Sequence, residues 1–455
     1  MSTWDEEAVF YHIYPLGYCG APERNEGAGG QGAEPRLRKI EERLDSIAGL
    51  GANALYLGPL FESEAHGYDT LDYRRVDSRL GSNEDLASLS RAAKARGMRV
   101  VLDGVFNHVG RGHPWFRELL EEGSDAAAAR FSGVDFSRRN ALGDPFCYDA
   151  WQGCLELPRL KLSDPEVRES LIGAALSWIE DYDIDGIRLD AADCLPLDFI
   201  GELASRCREK KPGFWLMAEI VKDDYRRWLS PGLADSVTNY ECWKGLWSSL
   251  NDSNYFEIAY ALKRQFGSEG IYRGAPLYNF ADNHDVDRVA SLLASPRLLY
   301  PLYALLFAMP GIPSVYYGSE FGARGRKAPS TDRALRPSVE AVEAERPEPD
   351  LARAIARLAA LRKSLPALRR GDYRELLVRP KQLVFARECA EGRAIVALNA
   401  EERPAEIELA LPFSASRLRD ELEAQNRPGG EVFEARGGRI RLPLQPCWAR
   451  VLSPA

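Results

Sequence analysis

Along the chain, short apolar runs rich in β-branched and aromatic residues alternate with longer amphipathic stretches. The runs are VFYHIYPL (9–16), NALYLGPL (53–60), MRVVLDGV (98–105), DGIRLDAA (185–192), FWLMAEI (214–220), DSVTNY (235–240), LYNFADN (277–283) and PSVYYGSE (313–320). Short blocks of this kind between turn residues predict strands covered on both faces. Between them, RKIEERLDSIAGL (38–50), SNEDLASLSRAAKARG (82–97) and DPEVRESLIGAALSWIEDY (164–182) place apolar residues at helical spacing, and Ser82 and Asp85 stand in capping-box register at the start of the second. Eight strands alternating with helices predict an α/β fold, a (β/α)8 TIM barrel with functional side chains at the C-terminal strand ends.

Two segments break the alternation. Residues 107–163, rich in Gly, Asp and aromatics, intervene between strand three and its helix, and an excursion of that length predicts a functional roof over the site. From about residue 371 the period changes to two, in QLVFARE (382–388), RAIVALNA (393–400), AEIELAL (405–411) and RIRLPL (439–444), which predicts an antiparallel β domain. The expected division is a catalytic barrel at 1–106 and 164–370, an excursion domain at 107–163 and a C-terminal β-sandwich domain at 371–455. GAGGQG (27–32) reads as a flexible loop after strand one.

Composition narrows the setting. With 455 residues, 45% of them hydrophobic, the chain can bury a large core and carry a second domain. Its opening MSTWDEEAVF has acids where a signal peptide has basic residues, and its longest apolar stretch, near 298–313, contains three prolines. Neither export nor a membrane span is expected. Eight cysteines without a CxxC pair suit reduced thiols and a cytoplasmic location, and a net charge of −9 disfavours nucleic acid and anionic membranes as partners. The sequence leaves the oligomeric state open.

The chemistry sits in four strings: DGVFNH (103–108), GIRLDAAD (186–193), WLMAEI (215–220) and FADNHD (280–285), each placing acidic or imidazole groups just after an apolar run. A charge at the end of a buried strand is costly unless something there uses it. Arg188 lies two residues before Asp190, so on a strand the two share a face, and a fixed guanidinium there is expected to keep Asp190 ionised. Glu219 follows the apolar Leu216, Met217 and Ala218, a setting that suits a proton donor.

In order and spacing these strings resemble the four sequence regions of the α-amylase family of glycoside hydrolases (family 13). The resemblance extends to YHIYP (11–15), to HGYDTLDYRRVDSRLGSNEDL (66–86) and to the C-terminal β domain. It implies a retaining α-glycosidase with Asp190 as nucleophile, Glu219 as general acid and base, and Asp285 as stabiliser of an oxocarbenium-like transition state. It further implies that His108 and His284 bond hydroxyls of the sugar at the cleavage point and that Tyr68 stacks beneath its ring. Asp332 and Arg336, spaced four apart, would grip the next sugar on the non-reducing side. Tyr240, Trp243 and Trp247 are either a leaving-group platform or core residues.

The chain departs from the family where many members bind calcium through the region-one Asn, an Asp in an LPD-like string and a carbonyl after region two. Asn107 is present, but LPRL puts Arg159 where the acid would be, and region two continues as Asp193 and Cys194. Arginine cannot ligate calcium, so no calcium or other cofactor is expected. The expected reaction is hydrolysis of α-glucosidic bonds in short malto-oligosaccharides. A glucosyl-transferring relative of the sucrose phosphorylase, amylosucrase or trehalose synthase type is the alternative, on the strength of Ala191 after the nucleophile. A catalytically inactive binding barrel is disfavoured because all three carboxylates are present. A dinucleotide-binding fold is disfavoured because no GxGxxG follows the first strand.

Overall fold

The computed structural model describes residues 4–25, 34–329, 331–425 and 430–455. The GAGGQG loop reading lies outside them. All eight expected barrel strands are present: β1 (Phe10–Ile13), β2 (Ala54–Leu57), β3 (Arg99–Gly104), β4 (Gly186–Leu189), β5 (Trp215–Ala218), β6 (Ser236–Val237), β7 (Tyr278–Phe280) and β8 (Ile312–Tyr316). They form one parallel sheet in the order β6-β5-β4-β3-β2-β1-β8-β7. A parallel bridge between Thr238 and Tyr278 joins the two ends, so the sheet closes into a barrel.

Strand burial explains the continuous apolar runs. Every residue of β1, β2, β4, β5 and β8 is buried, yet side chains still alternate between two cores. Phe10, Tyr56, Val101, Trp215, Met217, Phe280 and Ile312 fill the barrel interior. Tyr11, Leu57, Val100, Ile187, Leu189 and Leu216 face the helical shell. Arg188 is the exception on the inner face of β4, and it lies next to the site.

The helix at 38–50 is broken into Arg38–Glu41 and Leu44–Gly49, whereas Asn83–Ala95 begins with the full Ser82–Asp85 capping box. Pro165–Tyr182 starts at Asp164, whose carboxylate caps the Glu166 and Val167 amides. The stretch 107–163 holds helices Pro114–Glu122 and Asp125–Ala128 and otherwise isolated bridges, including His108 to Arg159. After the barrel come β9 (Asp372–Val378), β10 (Gln382–Cys389), β11 (Gly392–Asn399), β12 (Ala405–Ala410), β13 (Arg417–Asp420), β14 (Val432–Glu434), β15 (Arg439–Leu444) and β16 (Trp448–Pro454). Six of them make an antiparallel sheet and β12 pairs with β15. The two layers share a core that includes Val384, Ile395, Ile407, Leu442 and Leu452.

Candidate active site

Arg188 is the hub of the carboxylate cluster. It stands opposite Asp103 in the β3–β4 ladder with its side chain buried. Nη1 donates to Asp103 Oδ1 and to Asp190 Oδ1, both at 2.8 Å, and Nη2 reaches Glu219 Oε1 at 2.5 Å. The planar guanidinium carries the two carboxylates on neighbouring nitrogens, so both converge on one charged group. The other Glu219 oxygen accepts from the Ala191 amide at 3.1 Å, and Ala191 adopts φ 44° to present it.

Asp285 is aimed by its own string. Asn283 Oδ1 accepts from the Asp285 and Val286 amides at 2.8 and 3.2 Å, a turn that projects the intervening carboxylate, while the Asn283 amide donates to the Tyr240 hydroxyl at 3.0 Å. His284 Nε2 lies 3.0 Å from Asp285 Oδ2, and Arg336 Nη2 lies 3.2 Å from both Asp285 Oδ1 and Asp332 Oδ2. The Arg336 guanidinium stacks 4.4 Å over the Tyr14 ring. Tyr68 comes from the turn between strands Phe61–Ser63 and Thr70–Val76, which Asp69 closes by accepting the Ala65 and His66 amides. Its hydroxyl bonds Asp103 Oδ2 at 3.1 Å and the His284 imidazole, and its ring lies parallel to His284 at 5.6 Å.

Asp190 and Asp285 are shifted in opposite directions. Burial pushes the Asp190 carboxyl well above the usual carboxylate range; Arg188 pulls it down, but Glu219, Asp103 and Asp285 push it further up. The guanidinium expected to keep Asp190 ionised is divided among three carboxylates, and burial outweighs it. For Asp285 burial also opposes ionisation, yet His284, Arg336 and Arg188 together hold the carboxyl well below its ordinary value. Burial pushes His108 down to about 4, so its imidazole is neutral at pH 7.

The structure thus brings Asp190, Glu219, Asp285, Arg188, Tyr68 and His284 into one network, with Arg336 directly against Asp285. Asp332 stands behind Arg336 and touches Lys327 as well. His108 lies at the start of the excursion, 3.2 Å from the Asn107 amide and 5.7 Å from the Trp151 ring. Of the three aromatics after β6, only Tyr240 joins the network. Trp243 Nε1 donates to the Ala281 carbonyl at 3.0 Å and packs at the top of the barrel core, and Trp247 packs into the outer core.

Sequence reasoning missed Asp103 and Tyr56. Asp103 stood in a quoted string, but its role comes from the ladder register opposite Arg188, and Tyr56 joins by donating to Asp103 Oδ2 at 2.8 Å. The residues around Asn107 do not fit a calcium ion. Arg159 Nη2 donates to the Cys194 carbonyl at 3.3 Å, so a guanidinium already occupies one of the oxygens a cation would need. No group of three or more His, Cys, Asp or Glu side chains among the described residues could hold a metal.

Residues 24–359 match the family model described as the alpha amylase catalytic domain. A cyclomaltodextrinase from Geobacillus thermopakistaniensis (strain MAS1) is 28% identical over 465 residues, covering 97% of this chain and 76% of the relative. An intracellular maltogenic amylase from Bacillus subtilis (strain 168) is 27% identical over 381 residues, covering 79% of this chain and 62% of the relative. Among solved structures, Ttha1563 from Thermus thermophilus superposes with a TM-score of 0.85 at 32% identity, covering 99% of this chain and 100% of that one. A cyclic alpha-maltosyl-(1→6)-maltose hydrolase from Arthrobacter globiformis superposes with a TM-score of 0.81 at 28% identity over 100% of both chains.

Proposed function

The chain belongs to the α-amylase family of glycoside hydrolases, and from that premise we propose that it hydrolyses α-glucosidic bonds in short malto-oligosaccharides by double displacement. In this reading Asp190 attacks the anomeric carbon, Glu219 first protonates the departing glycosidic oxygen and then deprotonates water, and Asp285 stabilises the positive charge that develops on the ring. The observation that carries it is the Arg188 guanidinium bridging Asp190 and Glu219. The reaction requires the proton on Glu219 and the negative charge on Asp190, and Arg188 faces both. Asp285, held ionised, is ready to face the oxocarbenium-like centre.

His284 and Tyr68 offer polar groups and parallel ring faces to an uncharged, polyhydroxylated ligand. The transfer alternative rested on Ala191. That residue has a local reason to be small, because its left-handed backbone presents an amide to Glu219. A cytoplasmic setting belongs to the same proposal, supported by the intracellular Bacillus subtilis relative and by eight unpaired cysteines. No helix among the described residues is long and apolar enough to cross a membrane.

The test is product analysis with maltotetraose, sucrose and cyclic glucans, following the anomer released by NMR. Release of the α-anomer from maltotetraose with water as acceptor is expected. Initial release of the β-anomer, or turnover of sucrose alone, would sink the proposal.

A further inference from the structure

Glu219 stands one residue beyond the end of β5. On the β4 side its amide donates to the Leu189 carbonyl at 3.1 Å, and its carbonyl accepts from the Ala192 amide at 3.2 Å. On the other side β6 is only two residues long, and its ladder with β5 ends at the pair Ala218 and Val237. The last backbone rung runs from the Thr238 amide to the Ala218 carbonyl at 3.1 Å. In a parallel ladder the next rung would take the Ile220 amide to the Thr238 carbonyl. That carbonyl is diverted. It accepts from the Tyr240 amide at 3.1 Å, while the Asn239 amide donates to the Tyr278 carbonyl of β7 at 2.9 Å.

The Thr238 side chain replaces the missing rung. Its hydroxyl oxygen accepts from the Ile220 amide at 3.0 Å and donates to the Ile220 carbonyl at 3.3 Å. Both residues are buried, so one hydroxyl satisfies two backbone groups that would otherwise be costly to leave unpaired. Valine has the same outline and could fill the space, but it would satisfy neither group. Thr238 also carries the bridge to Tyr278 that closes the barrel. The peptide that follows Glu219 is therefore fastened to the seam of the barrel by a side chain rather than by the sheet.

We infer that Thr238 is a positioning residue for the reaction, its hydroxyl fixing the Ile220 peptide and thereby the placement of Glu219 against the glycosidic oxygen. The inference rests on the glycosidase reading above and gives the proton donor of that reading its support on the β6 side. A misplacement of about 1 Å costs on the order of a hundredfold in rate. Here the cost should be greatest for substrates whose leaving group depends most on protonation.

Thr238→Val and Thr238→Ser would be compared with the wild type on maltotetraose and on aryl α-maltosides that differ in the acidity of the leaving phenol. With Thr238→Val, kcat/KM should fall roughly ten- to a hundredfold on maltotetraose and on the least acidic phenol, but less than about threefold on the most acidic. Thr238→Ser keeps the hydroxyl and should restore the wild-type dependence on the leaving group. Melting temperature serves as the folding control; if Thr238→Val does not fold, Thr238→Ala provides the same comparison. A uniform loss across the series, no loss at all, or a serine variant as sensitive to the leaving group as the valine variant would overturn the role of Thr238 and leave the glycosidase reading intact. A wild-type enzyme inert towards the aryl maltosides and maltotetraose alike would overturn both.

Discussion

Arg188 and Asp103 face each other across the β3–β4 ladder, buried, with 2.8 Å between Nη1 and Oδ1, on the same guanidinium that meets Asp190 and Glu219. Asp103 shares Nη1 with Asp190 and also accepts from Tyr56 and Tyr68. It therefore draws off part of the positive charge that Asp190 and Glu219 would otherwise receive. Asp103→Asn keeps the shape and removes the competitor, so both limbs of the pH–rate profile should move to lower pH. Arg188 keeps Asp190 and Glu219 as partners, so the loss of stability read by denaturant unfolding should stay below the roughly 3–5 kcal/mol of a buried pair left with an uncompensated charge. Limbs that stay in place would show that Asp103 is electrostatically remote from the pair.

Asp190→Asn is expected to fold and to lose turnover to below about a hundredth of the wild type, because an amide cannot form the glycosyl ester. Glu219→Gln should behave differently, failing on malto-oligosaccharides while retaining activity on aryl glycosides whose leaving groups need little protonation. Comparable losses on both kinds of substrate would remove Glu219 from the acid role.

Much of this was legible in the chain because a parallel barrel writes its strands as uninterrupted apolar runs and sets its chemistry just after them. The Asn283 string even encodes its own turn. Three features were not legible. The alternation of Arg188 and Met217 into the barrel and of Leu189 and Leu216 away from it cannot be seen where both faces are buried. The pairing of Asp103 with Arg188 depends on ladder register across 85 residues of sequence. β13 and the edge strand β14 are short and charged, so they gave too few apolar positions to register as period two.

Arg336 was expected, by family resemblance, to grip the second sugar with Asp332; besides Asp332, its side chain lies against Asp285, the His284 carbonyl and the Tyr14 ring. Arg336→Ala should therefore reduce kcat/KM for maltotetraose and for an aryl α-glucoside alike, by roughly 1.5–3 kcal/mol, the range for a hydrogen bond to a charged group. A loss confined to maltotetraose would return Arg336 to the second-sugar role.

Arg159 supplies the prediction that concerns stability of the roof. Its guanidinium joins the excursion to the Cys194 carbonyl, four residues past Asp190. Chelators should leave melting temperature and activity unchanged. Arg159→Ala should lower the melting temperature by several degrees, an amount corresponding to about 1 kcal/mol or more. A chelator-induced fall in melting temperature, reversed by calcium, would show that a cation binds here after all.

Glu320 carries the last prediction, on pH and folding. It is buried beside β8, with Oε1 accepting from the Tyr11 hydroxyl at 2.6 Å and Oε2 unpartnered. Burial pushes its carboxyl up to about 7. The native state thus holds this proton more tightly than the unfolded chain, whose glutamate ionises near 4.3. The associated stability is fully present below about pH 4.3, declines as pH rises, and is lost above about 7. The swing is roughly 4 kcal/mol at 1.36 kcal/mol per pH unit. Glu320→Gln keeps an acceptor for Tyr11 and cannot ionise. Its melting temperature should therefore lie nearest the wild type's near pH 4 and exceed it increasingly as pH rises, by several degrees near pH 8. A difference between the two proteins that stays constant from pH 5 to 8 would mean that Glu320 does not titrate in this range.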